Sequence, residues 1–172
     1  MLAITLLTPA DRDAALAELI DLLVDSVDGG ASVGFLPPLP PAEARAYWDE
    51  IFAGLPRGER VLLAARVNGR IAGAVQLACA AKPNARHRAE VQKLLVHSRF
   101  RRQGLGSALM RAIEEQARQL GRSLLVLDTL KGDAAEQLYP RLGYLRAGEI
   151  PAFARSAGGT LEATVIFYKL LP

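Results

Sequence analysis

Apolar residues recur at helical spacing in four segments of the chain. In the first segment they follow the i, i+3, i+4, i+7 spacing that places side chains on one face of a helix, at Leu16, Leu19, Ile20 and Leu23. Asp28-Gly29-Gly30 ends this segment, and a loop rich in glycine and proline follows it. The pattern predicts helices at residues 9–27, 42–52, 105–120 and about 133–142.

Strands are predicted where apolar residues alternate or run together between turn signals. Asn68-Gly69 is the strongest short-range signal for a tight hairpin, so the runs on either side of it are predicted to pair. The run Ser123–Asp128 is apolar on both alternations, which is typical of a strand covered on both faces and reached through a crossover helix. The predicted strands are 3–7, 60–67, 70–79, 89–96, 123–128, 144–150 and 163–170.

Size and composition predict one compact domain over residues 1–172, since 51% of the 172 residues are hydrophobic and 23% are charged. The apolar start, residues 1–7, is too short for a leader or a membrane span, which predicts a cytoplasmic protein with no membrane partner. A single cysteine, Cys79, excludes an internal disulfide, and its apolar neighbours predict a buried thiol.

The basic residues cluster within residues 86–102, although the net charge is only +3. They do not cover one face together with stacking aromatics, so nucleic acid is not the expected partner. Binding of DNA or RNA through Arg99, Arg101 and Arg102 stays open as an alternative.

A loop for phosphates is predicted between the strand 89–96 and the helix 105–120. Its glycines let the backbone turn sharply, the helix start offers free N–H groups, and arginine can grip phosphate oxygens with two hydrogen bonds. The loop is neither a G-x-G-x-x-G nor a Walker-type motif. The residues predicted to bind two adjacent phosphates are Arg101, Arg102, Gln103, Gly104, Leu105, Gly106 and Ser107.

An Arg-x-x-Gly-x-Gly run between a strand and a helix resembles the acyl-CoA loop of the GNAT superfamily of N-acetyltransferases. The segment Ala135–Tyr144 is similar to the family pattern A-x-x-L-Y-x-x-x-G-[FY], and the order of elements agrees along the whole chain. The resemblance implies an α/β (α+β) fold: a mixed, mostly antiparallel sheet of about seven strands with a central splayed parallel pair and about four helices.

The resemblance also implies acetyl-CoA as the cofactor, with exposed backbone of Leu94, Leu95 and Val96 pairing with its pantetheine arm. One departure from the commonest family pattern is Gly132, which stands where asparagine is usual, seven residues before Tyr139. The segments 29–35, 82–84, 88–94 and 127–129 resemble the tabtoxin-resistance type, which acetylates the amino group of a β-lactam amino-acid toxin.

Acetyl transfer from a thioester needs a neutral amine and a proton for the departing thiolate. Tyr139 is predicted to be the general acid, since a phenol of ordinary pKa near ~10 can give up its proton to a thiolate. Glu90 and Asp128 are candidates for the base or for binding the substrate ammonium. Structural roles stay open: Tyr139 could serve packing alone, Glu90 could pair with Arg86, Arg88 or Lys93, and Asp128 could cap the turn before Gly132.

The expected acceptor is a small-molecule primary amine, amino-acid-like or a β-lactam toxin, acetylated directly in a ternary complex. Its pocket is expected to include Ser32, Phe35, Gln92 and Thr129. A peptide amine acceptor and a non-catalytic acyl-CoA sensor stay open, and a homodimer is plausible. His87 and His97 are predicted to lie at the surface, and no metal-ligand spacing occurs.

Overall fold

The computed structural model describes all residues, 1–172, and its secondary structure follows the predicted order. The four α-helices are α1 (Arg12–Asp28), α2 (Pro41–Gly54), α3 (Leu105–Gln119) and α4 (Ala134–Arg141). The seven strands are β1 (Leu2–Leu6), β2 (Arg60–Val67), β3 (Arg70–Cys79), β4 (Arg88–Val96), β5 (Leu124–Leu130), β6 (Leu145–Arg155) and β7 (Leu161–Leu170).

All strands belong to one sheet of order β1-β2-β3-β4-β5-β7-β6. Every neighbouring pair is antiparallel except β4 and β5, which are parallel because α3 crosses over between them. The mixed, mostly antiparallel seven-stranded sheet with four helices is therefore confirmed.

A hydrophobic core lies on each face of this sheet. The helices α1 and α2 form one core, in which fully buried Trp48 donates a hydrogen bond from Nε1 to the carbonyl of Leu19 at 2.8 Å. The helix α3 forms the other core with the apolar side chains of β4, β5 and β7. None of the helices combines the length and the apolar character that crossing a membrane requires.

The parallel strands β4 and β5 separate after a short stretch of pairing. Only residues 88–90 of β4 are paired with residues 124–126 of β5. Beyond Glu90, the edge of β4 that faces β5 has no strand partner, so the sheet opens at its centre.

Two bulges lie beside this opening. In β4, Lys93 and Leu94 stand opposite the single residue Val75 of β3, and Lys93 has a φ of 50°. In β6, residues 151–153 stand opposite the single residue Ala163 of β7, and Ala152 has a φ of 53°. Each bulge changes the direction of the side chains that follow it.

The structure differs from the sequence predictions at three places. β6 continues to Arg155, beyond the predicted end at residue 150; it is exposed over most of its length, so no hydrophobic alternation marks it. Cys79 is only partly buried because it ends β3. His97 is buried because it packs against α1, where Asp21 lies 3.3 Å from its Nε2 and Asp25 lies 3.6 Å from its Nδ1.

Candidate active site

Two adjoining cavities occupy the opening between β4 and β5. The larger, of about 420 Å³, extends from Leu94–Val96 to the start of α3, and we call it the donor cavity. The smaller, of about 280 Å³, lies between β4, β5, β6 and the loop after α1, and we call it the acceptor cavity. The two share four lining residues: Ala31, Leu94, Asp133 and Ala135.

The donor cavity ends at the glycine loop before α3. Arg102 and Gly104 have positive φ values of 60° and 80°, which turn the backbone toward the cavity. The N–H groups of residues 105–107 make no backbone hydrogen bonds, as expected for the first turn of a helix. Exposed Arg101 and Arg102 add positive charge to the positive end of the helix dipole.

A contact with α1 holds this loop in place. The carboxylate of Asp25 accepts hydrogen bonds from the Ser98 amide at 2.7 Å and the Ser98 hydroxyl at 2.6 Å. Burial acts to raise the pKa of Asp25, but the Ser98 bonds and the nearby His97 and Arg101 outweigh it and lower that pKa below its ordinary value. Asp25 therefore stays ionised and joins the end of α1 to the segment before the loop.

Of the residues predicted from sequence to bind the donor, nine line the donor cavity and one does not. Gln103 is exposed and lies outside the lining. The residues that line it are Leu94, Leu95, Val96, Arg101, Arg102, Gly104, Leu105, Gly106 and Ser107.

Tyr139 lines the acceptor cavity from α4 and is 5% exposed. Its ring packs 5.8 Å from that of Tyr144 and 5.6 Å from that of Phe167. Burial, reinforced by Asp133 and Asp128, raises the pKa of Tyr139 well above its ordinary value of 10.0. The phenol therefore carries its proton throughout the neutral range.

Glu90 and Asp128 line the same cavity. Glu90 stands beside Val126 in the β4–β5 register, so Asp128, two residues further along β5, points to the same face of the sheet. Tyr139 packs against the ring of Phe167 on β7. Phe167 stands beside Leu127 in the β5–β7 register, and both side chains point to the face of the sheet opposite to that of Asp128. The tyrosine and the two carboxylates thus reach the cavity from opposite faces of the opened sheet.

Neither Glu90 nor Asp128 has the structural role that the sequence left open for it. Glu90 forms no ion pair with Arg86, Arg88 or Lys93. Asp128 does not cap the turn before Gly132; its Oδ2 accepts a hydrogen bond from the Thr164 hydroxyl at 2.7 Å.

Of the four residues predicted to form the acceptor pocket, three line the acceptor cavity and one does not. Ser32, Gln92 and Thr129 line the acceptor cavity. Phe35 does not, because its ring packs edge-on against Tyr47 of α2 with centroids 5.4 Å apart.

Sequence reasoning missed two lining residues, Lys93 and Phe153. Both lie at the bulges, where the simple alternation of a strand does not give the side-chain direction. Lys93 Nζ lies 5.6 Å from the centre of the Tyr47 ring. Burial, then repulsion from Arg60, lowers the pKa of Lys93 below its ordinary value, against the opposing effects of Glu90 and Asp128.

Residues 31–144 match the model of the acetyltransferase (GNAT) family. The chain belongs to the GNAT family of acetyltransferases. It is therefore an N-acetyltransferase that depends on acetyl-CoA. The opened edge of β4 and the glycine loop of this acetyltransferase fit such a donor, because they offer free backbone groups and positive charge along one continuous cavity.

Curated relatives of the acetyltransferase include two bacterial enzymes. An uncharacterised N-acetyltransferase of the hisH-hisA intergenic region of Azospirillum brasilense is 34% identical over 115 residues, which cover 66% of this chain and 67% of the relative. An L-methionine sulfoximine/L-methionine sulfone acetyltransferase of Pseudomonas paraeruginosa is 28% identical over 166 residues, 94% of each chain.

Solved structures agree with the acetyltransferase in fold. The yncA acetyltransferase of Salmonella typhimurium, solved with its cofactor acetyl-CoA, has a TM-score of 0.81 at 19% identity, covering 100% of this chain and 95% of that one. A ribosomal-protein-alanine N-acetyltransferase of Brucella melitensis has a TM-score of 0.80 at 23% identity, with 98% and 99% covered.

Proposed function

We propose that this enzyme acetylates the primary amine of a small, amino-acid-like molecule, a class that includes β-lactam amino-acid toxins. The observation that carries the proposal is the acceptor cavity. Glu90, Asp128 and Tyr139 all line it, and neither carboxylate forms an ion pair within the protein. The relative that acts on L-methionine sulfoximine and L-methionine sulfone supports this class, as does the resemblance of several segments to the tabtoxin-resistance type.

The charge and size of the cavity favour a small cationic amine. Its lining carries three carboxylates, those of Glu90, Asp128 and Asp133, against the single ammonium of Lys93. A volume of about 280 Å³ lies just below the range of pockets that take drug-sized ligands. A free amino acid fits these limits better than a peptide or protein chain does.

Acetyl-CoA supplies the acetyl thioester when bound. Glu90 and Asp128 attract the ammonium of the acceptor, and one of them accepts a proton from it through water, which leaves a neutral nitrogen to attack. As the C–N bond forms and the C–S bond breaks, Tyr139 donates its hydroxyl proton to the departing sulfur from the opposite face of the sheet, and the proton that the acylated nitrogen loses restores the phenol. Since Cys79 does not line the acceptor cavity, transfer is direct, in a ternary complex.

The experiment is an assay of thiol release from acetyl-CoA with L-methionine sulfone, L-methionine sulfoximine, a polyamine and a short peptide as acceptors. We expect release that depends on the amino-acid amines. The variants Glu90→Gln and Asp128→Asn are expected to lower kcat/KM by about 100-fold or more, because each removes a group that handles the amine proton.

The matched control is Glu43→Gln, which neutralises an exposed carboxylate of α2 outside both cavities. It should leave kcat/KM unchanged. Acetyl-CoA binding without release for any amine would contradict the proposal and favour an acyl-CoA sensor, and release with the peptide alone would favour a protein acceptor.

A further inference from the structure

We propose that Lys93 binds a carboxylate of the acceptor, so that the enzyme selects amines that also carry a carboxylate. The inference rests on the proposed function and assigns its substrate preference to one side chain. Lys93 lies in the wall of the acceptor cavity that also contains Glu90 and Asp128.

The bulge in β4 gives Lys93 its position. In a regular strand the side chain after Gln92 would point to the other face of the sheet, into the core around α3. The φ of 50° at Lys93 changes that direction and brings Nζ to 5.6 Å from the Tyr47 ring, on the side of α2. Nζ also lies 3.7 Å from the position that a Cβ on Gly34 would take, so it reaches the loop that covers the cavity.

The ammonium of Lys93 has no partner of opposite charge. Two other lysines near carboxylates form ion pairs, Lys131 with Glu149 at 2.8 Å and Lys169 with Glu114 at 2.7 Å. Lys93 forms no ion pair and no hydrogen bond, although the carboxylates of Glu90 and Asp128 line the same cavity. Positive and negative groups therefore face one small cavity without neutralising each other.

Burial makes this ammonium a good site for an anion. Desolvation and the nearby guanidinium of Arg60 disfavour the charged form of Lys93, and the pKa is lowered accordingly. A bound carboxylate would offset both effects through a charge-assisted hydrogen bond. The same molecule can then place its ammonium against Glu90 and Asp128, which is the charge distribution of an amino acid.

The test compares each acceptor with the amine that lacks only its carboxylate. Suitable pairs are L-methionine sulfone with 3-(methylsulfonyl)propylamine, and L-leucine with 3-methylbutylamine. Because the two amines of a pair differ in basicity, the deciding quantity is how their kcat/KM ratio changes between the wild-type enzyme and Lys93→Met.

We expect Lys93→Met to lower kcat/KM for the amino acid by about 10- to 100-fold, mainly through KM, and to leave the simple amine nearly unchanged. Lys93→Arg should keep most of the preference because it keeps the charge. Lys82→Met, which removes an exposed lysine outside both cavities, should behave as wild type. Acetyl-CoA binding by calorimetry reports whether each variant is folded, and Lys93→Gln is a second neutral variant.

The assignment would be overturned if Lys93→Met or Lys93→Gln bound acetyl-CoA normally and kept the wild-type ratio of kcat/KM between the amino acid and its matched amine. That result would leave the proposed function standing. Absence of turnover with every amine, despite acetyl-CoA binding, would overturn the proposed function, and this inference with it.

Discussion

Replacing Tyr139 by phenylalanine separates the chemical role of its hydroxyl from the packing role of its ring. The ring is 5% exposed and lies between Tyr144 and Phe167, contacts that phenylalanine keeps. The hydroxyl makes no hydrogen bond within the protein, so its removal leaves no partner unsatisfied. We therefore expect the free energy of unfolding to change by less than about 0.5 kcal/mol.

The effect on turnover should be much larger. A general acid contributes about 100-fold or more to the rate, which is about 2.7 kcal/mol of activation free energy. Tyr139→Phe should therefore lower kcat by at least about 100-fold, with the Kd for acetyl-CoA unchanged within about 2-fold. Because burial raises the pKa of Tyr139 above 10.0, loss of its proton should not limit the wild-type rate below about pH 10.

The assay measures thiol release at saturating amine, with calorimetric acetyl-CoA binding and thermal unfolding on the same samples. The matched control is Tyr144→Phe, since Tyr144 is also buried, contacts Tyr139 and lies outside the acceptor cavity. The control should keep wild-type kcat. Full turnover in Tyr139→Phe, or an equal loss in both variants, would refute the assignment of the proton to Tyr139.

Two further predictions concern binding and stability. Arg101→Ala combined with Arg102→Ala should raise the Kd for acetyl-CoA by about 10-fold or more with little effect on kcat, whereas Gln103→Ala, outside the donor cavity, should leave both unchanged in calorimetry and kinetics. Lys169→Met should lower the free energy of unfolding in urea by up to about 3 kcal/mol, because it removes the ammonium 2.7 Å from the buried carboxylate of Glu114 and leaves only Arg118, at 3.9 Å. Adding Glu114→Gln should recover part of that loss; equal stability of wild type and Lys169→Met would contradict this reasoning.

The order of elements was predictable from the sequence because each buried element carries its own periodic signal. The helix α3 has an apolar face, and β5 is apolar on both alternations, so the parallel pair around them follows from local pattern. The glycine loop was predictable for the same reason, since turn chemistry and helix start are both local. Tyr139 was identified by another route, the resemblance of the segment Ala135–Tyr144 to the family pattern.

The bulges were not predictable, because they arise from pairing between strands and not from any one strand. Nothing in the residues around Lys93 marks the change of direction that brings its ammonium into the acceptor cavity. Phe153 lies within a bulge of an exposed edge strand, where burial gives no pattern. His97 was predicted at the surface because arginines lie near it in the sequence, whereas the helix α1 that packs against it is distant along the chain.

The opening between β4 and β5 also bears on how enzymes of this kind change during evolution. In our proposal the donor is held in large part by the β4 backbone and the first amides of α3, which a substitution does not remove, whereas the acceptor is recognised by side chains of β4, β5 and β6. A mutation at Lys93 or Phe153 can therefore alter which amine is modified without loss of the donor. A duplicated gene can acquire a new acceptor by single steps, each of which remains an acetyltransferase.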